Sequence, residues 1–160
     1  MATKVHIIGA YHSLHLTADN VCNGDRQRFL AILDAHLRGG VIVAEEAGER
    51  EDQSDAKKMA SKRGAKYHNI DINEAAKVQI HYVRMSSLDC SEIKDVDERD
   101  NLYALAWNLA REWHMIETIQ DLLRDNFGQD FLIIVGLSHL DAIRKHLPVV
   151  SPSRPIFSIG

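Results

Sequence analysis

The amino-acid sequence predicts a single α/β domain, residues 1–160, with a mainly parallel five-stranded sheet flanked by helices. Two patterns indicate this class. Five short runs of β-branched and other apolar residues recur along the chain, and each has the length of a buried strand. Between them lie segments whose apolar residues are spaced three to four apart, which is the helical period. Strands and helices that alternate in this way are typical of a parallel sheet covered by helices.

The elements follow from local signals in the chain. The predicted strands are residues 5–8, 41–44, 66–70, 131–135 and 156–159. The predicted helices are residues 26–37, 52–63, 74–82, 95–126 and a last helix that opens at Ser138. Gly64 and Gly128 should end their helices, because glycine adopts the left-handed conformation that closes a helix. Ser138 and Asp141 have the spacing of a capping pair at the start of the last helix.

The composition argues against several classes of partner and cofactor. The formal net charge is −4, and no cluster of basic residues stands out, so no nucleic-acid partner is expected. The only cysteines, Cys22 and Cys90, are far apart, which suits a reducing compartment. No signal peptide or apolar segment of transmembrane length is recognisable, so we expect a cytoplasmic protein without a membrane anchor. The glycine patterns that bind nucleotide phosphates are absent as well.

Two of the predicted strands end in the same short motif. Gly9-x-x-His12 follows the first strand, and Gly136-x-x-His139 follows the fourth. The glycines would allow a sharp turn out of each strand. Because carboxyl ends of parallel strands lie at one edge of a sheet, where α/β proteins bind ligands, the two imidazoles should meet in one cleft. His139 adds nothing to the apolar spacing of its helix, so its side chain should lie at the rim, and alanine there should cost within about 1 kcal/mol.

Acidic residues follow the other strands. Glu45 and Glu46 come directly after the second strand, where carboxylates can ligate a hard metal ion or act as general base. Alternation lets only one of them point into a cleft unless the chain turns between them, and the sequence leaves open which one. Asp71, after the third strand, is either a further carboxylate at this edge or the cap of the next helix.

The long helix, residues 95–126, carries an apolar arc wider than one face. Its main stripe is Leu102, Leu105, Leu109, Trp113, Ile116, Leu123 and Phe127. Such a helix packs on two sides, and we expect a homodimer through it, with a further helix of the same chain as the alternative. Arg111 lies at the border of this arc. Its guanidinium needs a buried acceptor, a carboxylate or an anionic substrate, unless it extends along the helix flank to solvent.

Taken together, these motifs resemble those of the TraB/TIKI/erythromycin-esterase superfamily. The matching residues are Gly9-x-x-His12, Glu45-Glu46, Arg111-Glu112-x-x-Met115 and Gly136-x-x-His139. The resemblance implies an active site built from the two histidines and a glutamate. In the TIKI branch these residues hold a divalent metal ion for peptide hydrolysis, and in the esterase branch a histidine acts as general base. A haem-binding branch also exists, and this chain is smaller than most members.

The resemblance and the residues together predict a hydrolase that cleaves an ester or amide bond in a small-molecule or peptide substrate. His12, His139 and one of Glu46 and Glu45 would hold a divalent ion, Mn, Co or Zn, or activate water directly. Arg111 would orient the acid or steady a developing oxyanion. Two alternatives stay open: a module that binds haem or a small molecule, and a regulatory interaction protein that uses the long helix as its contact surface.

Overall fold

The computed structural model describes residues 3–11, 23–73, 96–147 and 156–159. His12 and the helix expected over residues 74–82 lie outside these ranges. The strands are β1 (Val5–Ala10), β2 (Ile42–Glu45), β3 (Lys66–Asn69), β4 (Phe131–Gly136) and β5 (Ile156–Ile159). The α-helices are α1 (Asn23–His36), α2 (Asp55–Arg63), α3 (Val96–Asp125) and α4 (Leu140–His146). Two short 3-10 helices, Gly48–Gln53 and Leu137–His139, precede α2 and α4.

The strands form one parallel sheet in the order β3-β2-β4-β1-β5. Four of them, β1 to β4, form the packed sheet, and β5 pairs with β1 at its outer edge. The predicted class, α/β with a parallel sheet flanked by helices, is confirmed. The expected count of five strands holds only if β5 is included. Ala10 pairs with Gly136, so β1 and β4 end side by side.

Helices cover both faces of the sheet. Strand side chains alternate between the faces, so β1, β2 and β4 each contribute to two cores. The core beneath α1 and α2 contains Ile8, Phe29, Leu33, Val43, Ala56 and Leu132. The core beneath α3 and α4 contains Ile42, Met115, Ile119, Phe131, Ile133 and Ile143. Because buried strands pack on both faces, they appear in the sequence as continuous apolar runs rather than as alternating ones.

Three helix starts differ from the predictions. Helix α1 begins at Asn23 rather than at residue 26. Helix α2 begins at Asp55 rather than at Asp52, because the buried Ser54 caps it by accepting a hydrogen bond from the Lys57 amide at 2.9 Å. Helix α4 begins at Leu140, after a 3-10 turn, and no side chain caps either element. The predicted Ser138–Asp141 capping pair is therefore wrong: the chain winds into the 3-10 turn at Leu137, so Ser138 is not at a helix start.

Gly9 has a packing role instead of the expected turning role. It lies inside β1, before the strand ends. A Cβ added there would lie 2.7 Å from a Leu140 methyl and 3.1 Å from a Leu137 methyl. The absence of a side chain thus lets the turn after β4 pack directly on β1. Gly64, by contrast, ends α2 with a φ of 66°, as predicted.

Only part of α3 is covered by the sheet. The helix has 30 residues, which corresponds to about 45 Å, whereas strands of four to six residues span only about 13–20 Å. Its second half buries Met115, Ile116 and Ile119, while Leu105 in the first half is 56% exposed. The single predicted stripe is therefore divided between core and surface. Within the described ranges, no helix is both long and apolar enough to cross a membrane.

Candidate active site

Glu45 and Glu46, the two acids at the end of β2, point to different sides of the sheet. Both are fully buried. The Glu45 carboxylate accepts hydrogen bonds from the Ser54 and Tyr67 hydroxyls, beneath α2. The Glu46 carboxylate faces α3, where it meets Arg111. Only Glu46 therefore lies with the other predicted site residues, and the expected alternation of the two side chains is observed.

The Glu45 cluster links β2, β3 and the start of α2. The Tyr67 hydroxyl donates to Glu45 Oε2 at 2.6 Å, and the Ser54 hydroxyl donates to the same oxygen. Burial, followed by the charge of Glu45 and this hydrogen bond, raises the pKa of Tyr67. The phenol therefore stays neutral and keeps donating its proton to the carboxylate. Ser54 also caps α2, so these contacts hold the helix on the sheet.

Arg111 binds two carboxylates, Glu46 and Asp71. Its Nη2 group donates to Glu46 Oε1 at 2.7 Å and to Asp71 Oδ2 at 2.8 Å. Its Nε donates to Asp71 Oδ1 at 3.1 Å, which completes a bidentate pair. Burial lowers the pKa of Arg111, but the hydrogen bonds and charges of Asp71 and Glu46 outweigh burial and raise it. Of the possibilities left open for Arg111, a carboxylate, an anionic substrate or extension to solvent, the structure shows carboxylate partners.

The other Glu46 oxygen is held by the backbone. Glu46 Oε2 accepts a hydrogen bond from the Gly136 amide at 2.7 Å. Gly136 is the last residue of β4, so its amide lies at the carboxyl end of the strand that neighbours β2. The glutamate thus bridges α3 and the end of β4, with each carboxylate oxygen bound to a different element.

His139 lies next to this bridge. Its Nδ1 atom is 2.9 Å from Glu112 Oε1, and its Nε2 atom is 3.5 Å from Glu46 Oε1. Because a carboxylate can only accept, Nδ1 donates to Glu112. The residue is only 4% exposed, so the expectation that its side chain projects at the rim is wrong. Leu140 and Ile143 draw α4 onto the core, and the imidazole is covered with them.

The structure thus brings three of the predicted site residues together and adds two residues that were not among the predicted ones. Glu46, Arg111 and His139 come together, Glu45 lies elsewhere, and His12 is outside the described residues. Glu112 and Asp71 complete the network. Glu112 was named from the sequence only within the Arg111-Glu112-x-x-Met115 motif and was given no role, and adjacent helix residues point apart. That divergence lets Arg111 reach Glu46 while Glu112 reaches His139, and the Arg111-Glu112 pair within the motif was the available signal.

A divalent metal ion fits this arrangement in part. The separation of 3.5 Å between His139 Nε2 and Glu46 Oε1 is close to the roughly 3.4 Å between two ligand atoms on a tetrahedral ion with bonds of about 2.1 Å. The Glu112–His139 bond also corresponds to the outer carboxylate that orients a metal-bound histidine. Within the described part of the chain, however, no group of three His, Cys, Asp or Glu residues could hold an ion. A third ligand would have to come from elsewhere.

The fold and this network define a class of protein. It is a parallel α/β protein with a buried network of carboxylate, guanidinium and imidazole groups beyond the carboxyl ends of β2, β3 and β4. Comparisons of the chain with family models, with curated proteins and with solved structures found no match.

Proposed function

We propose that the protein is a small hydrolase of the TraB/TIKI/erythromycin-esterase type, which cleaves an ester or amide bond. The observation that carries this proposal is the Glu112–His139 hydrogen bond of 2.9 Å beside Glu46. A histidine that donates from Nδ1 to a carboxylate keeps the lone pair of Nε2 for accepting a proton. A general base oriented by an acid in this way is the arrangement found in many hydrolases.

In the proposed reaction, His139 acts as general base. Its Nε2 removes a proton from water while the water oxygen attacks the carbonyl carbon, and it returns the proton to the leaving oxygen or nitrogen. The imidazolium formed on the way lies between two carboxylates, Glu112 at Nδ1 and Glu46 at Nε2. These fixed negative charges stabilise the positive charge as it develops. Glu46 would therefore contribute electrostatically even without a metal ion.

In this proposal Arg111 orients the Glu46 carboxylate and does not stabilise an oxyanion. Its Nε and Nη2 groups are committed to Asp71 and Glu46. A guanidinium that binds two carboxylates has much of its charge compensated, which weakens its pull on a further anion. The bonds instead keep the Glu46 carboxylate beside His139, where the proposed mechanism requires it.

A divalent ion is proposed as the alternative to general-base catalysis by His139, because the single lone pair of Nε2 cannot bind an ion and accept a proton at the same time. His139 and Glu46, with His12 as the third ligand expected from the sequence, would hold it. Such an ion would act as a Lewis acid that polarises the carbonyl of the substrate. The two separated cysteines, Cys22 and Cys90, support a reducing, cytoplasmic setting for the enzyme.

Hydrolysis of p-nitrophenyl acetate and of alanine p-nitroanilide tests this proposal. We expect the wild type to hydrolyse at least one of them above the buffer rate, and His139→Ala to lower kcat by about 100-fold or more. Asp55→Asn serves as the control, because it breaks the Arg26–Asp55 ion pair between α1 and α2, away from the site. Wild-type turnover in His139→Ala would overturn the assignment, as would a wild type that hydrolyses neither substrate.

A further inference from the structure

The geometry points to Asp71 as a positioning residue for this site, held in place by Asn69. The inference rests on the proposed hydrolase function. It adds Asp71 and Asn69 to the site as residues that act through Arg111 and do not contact the substrate. Asp71 follows β3, and its carboxylate is 6% exposed. It shares Arg111 with Glu46, since the Nη2 group of the guanidinium donates to both carboxylates.

The Asp71 carboxylate determines the orientation of the guanidinium. Oδ1 accepts from Arg111 Nε at 3.1 Å and from the Ile72 amide at 2.8 Å, while Oδ2 accepts from Arg111 Nη2 at 2.8 Å. A bidentate pair fixes the guanidinium plane as well as its position. Nη2 has two hydrogens, so the one not directed at Asp71 is aimed at Glu46 Oε1. This oxygen is the one that lies 3.5 Å from His139 Nε2.

Asn69, the last residue of β3, holds the turn that carries Asp71. Its Oδ1 accepts from the Asp71 amide at 3.1 Å and from the Ala47 amide at 3.3 Å. Its Nδ2 donates to the Gly48 carbonyl at 2.8 Å and to Glu51 Oε2 at 3.3 Å. One carboxamide therefore joins the turn after β3 to the segment after β2, which begins with Glu46.

Gly48 shows how closely the two segments are packed. Its φ of 56° is left-handed, and an added Cβ would lie 3.0 Å from Asp71 Oδ2. A side chain at this position would press on the carboxylate that orients Arg111. The segment after β2 thus packs closely on the Asp71 carboxylate, while Asn69 holds the Asp71 backbone amide.

The test compares Asp71→Asn with the wild type, using the p-nitrophenyl acetate assay and thermal unfolding. Asparagine keeps an acceptor for the Ile72 amide, but it loses the charge and directs an amide donor at Arg111 Nη2. We expect kcat to fall by about 10- to 100-fold, because small displacements in an active site have costs of this size. KM should stay within about twofold, since Asp71 acts through Arg111 and does not contact the substrate.

Glu46→Gln and His139→Ala are measured in parallel, with Asp55→Asn as the control for loss of an ion pair elsewhere. If Glu46→Gln and His139→Ala lose turnover while folded Asp71→Asn keeps the wild-type kcat, the positioning role is wrong and the hydrolase proposal stands. If Glu46→Gln and His139→Ala keep turnover, the hydrolase proposal fails and this inference fails with it. A merely structural role for Asp71 would lower the melting temperature and leave kcat of the folded protein unchanged.

Asn69→Ala is the second variant, for the case in which Asp71→Asn does not fold. It keeps the Asp71 charge and removes only the bonds that hold the turn. We expect a smaller loss of kcat, about three- to tenfold, again with KM unchanged. An unchanged kcat in folded Asn69→Ala would overturn the proposal.

Discussion

Glu45 and Glu46 are neighbours in the sequence, and their carboxylates lie on opposite sides of the sheet. Glu45 meets the hydroxyls of Ser54 and Tyr67, whereas Glu46 meets the guanidinium of Arg111. The two acids therefore belong to different clusters, although both are fully buried at the end of one strand. Their substitution should separate the stability of the fold from the chemistry of the proposed site.

We expect Glu46→Gln to lower kcat by about 100-fold. Glu45→Gln should leave kcat within a few-fold of the wild-type value. Glu45→Gln should instead lower the free energy of unfolding by roughly 1–3 kcal/mol, because the bonds from two hydroxyls lose their charged acceptor. The measurements are p-nitrophenyl acetate turnover and urea unfolding of both variants. Equal losses of turnover in the two variants would mean that the clusters are not functionally separate.

Replacement of His139 should cost more stability than the sequence suggests. The imidazole is buried and bound to Glu112, so His139→Ala leaves a carboxylate without its donor. We expect the free energy of unfolding to fall by roughly 1–3 kcal/mol, rather than by less than 1. Ser138→Ala is the matched control, since Ser138 is exposed and makes no capping bond. Its cost should be within about 0.5 kcal/mol. Similar urea midpoints for the two variants would show that His139 contributes no buried bond.

The Glu112 carboxylate should determine the tautomer of His139. A neutral imidazole that donates from Nδ1 is expected to give the Nδ1–H tautomer, with an unprotonated Nε2. In Glu112→Ala the acceptor is gone, so the population should move towards the Nε2–H tautomer that free histidine prefers. Nitrogen-15 chemical shifts of the ring report both states. An Nε2–H tautomer in the wild type would contradict the assigned bond and the proposed role of Nε2.

His6 and His36 should make the fold sensitive to mild acid. Their rings are 4.4 Å apart between centroids, on β1 and at the end of α1. Burial lowers the pKa of both, and the charge of His36 lowers the pKa of His6 further. The native state then binds fewer protons than the unfolded chain, so stability is lost as the pH falls through the ordinary histidine pKa of 6.5.

Urea unfolding between about pH 5 and pH 8 measures this effect. The wild type should lose stability towards the acidic end, and His36→Gln should show a shallower dependence because one of the two titrating groups is removed. The charges nearest to the pair, Lys4, Arg38 and Asp130, are unchanged in this variant. An identical pH dependence in the two proteins would show that the pair does not titrate with unfolding.

We propose that α3 mediates a homodimer. Leu102, Leu105, Leu109 and Trp113 are spaced three, four and four residues apart and are 38–56% exposed. A second copy of the same helix presents the same stripe, so a two-fold pair would be self-complementary. Sedimentation should show a dimer for the wild type and a monomer for Leu105→Glu/Leu109→Glu. Lys62→Glu, on the surface of α2, should leave the dimer intact. A monomeric wild type at high concentration would refute this proposal.

Local patterns in the sequence were sufficient for the approximate positions of the five strands and of the four described helices, and for the edge of the sheet where the site lies. The strand runs have the right length and composition, Gly64 ends α2, and parallel strands bring their carboxyl ends together. Glu46, Arg111 and His139 could therefore be named as candidates without coordinates. The start of α2 was misplaced because Ser54 serves as cap and as donor to Glu45 at once, and only the fold reveals the second role.

The sequence by itself determined the class of fold and the helices and strands that the spacing of apolar residues indicates. It also determined which residue types lie at the carboxyl ends of the strands. Only the tertiary structure decided which of Glu45 and Glu46 meets Arg111 and that Glu112 holds His139. It also decided that, of the predicted α3 stripe, only Ile116 and Leu123 are buried. Each of these depends on the direction of a side chain relative to a partner distant in sequence. Such directions are determined by how helices pack across the sheet, and local hydrogen bonding and hydrophobic spacing do not encode them.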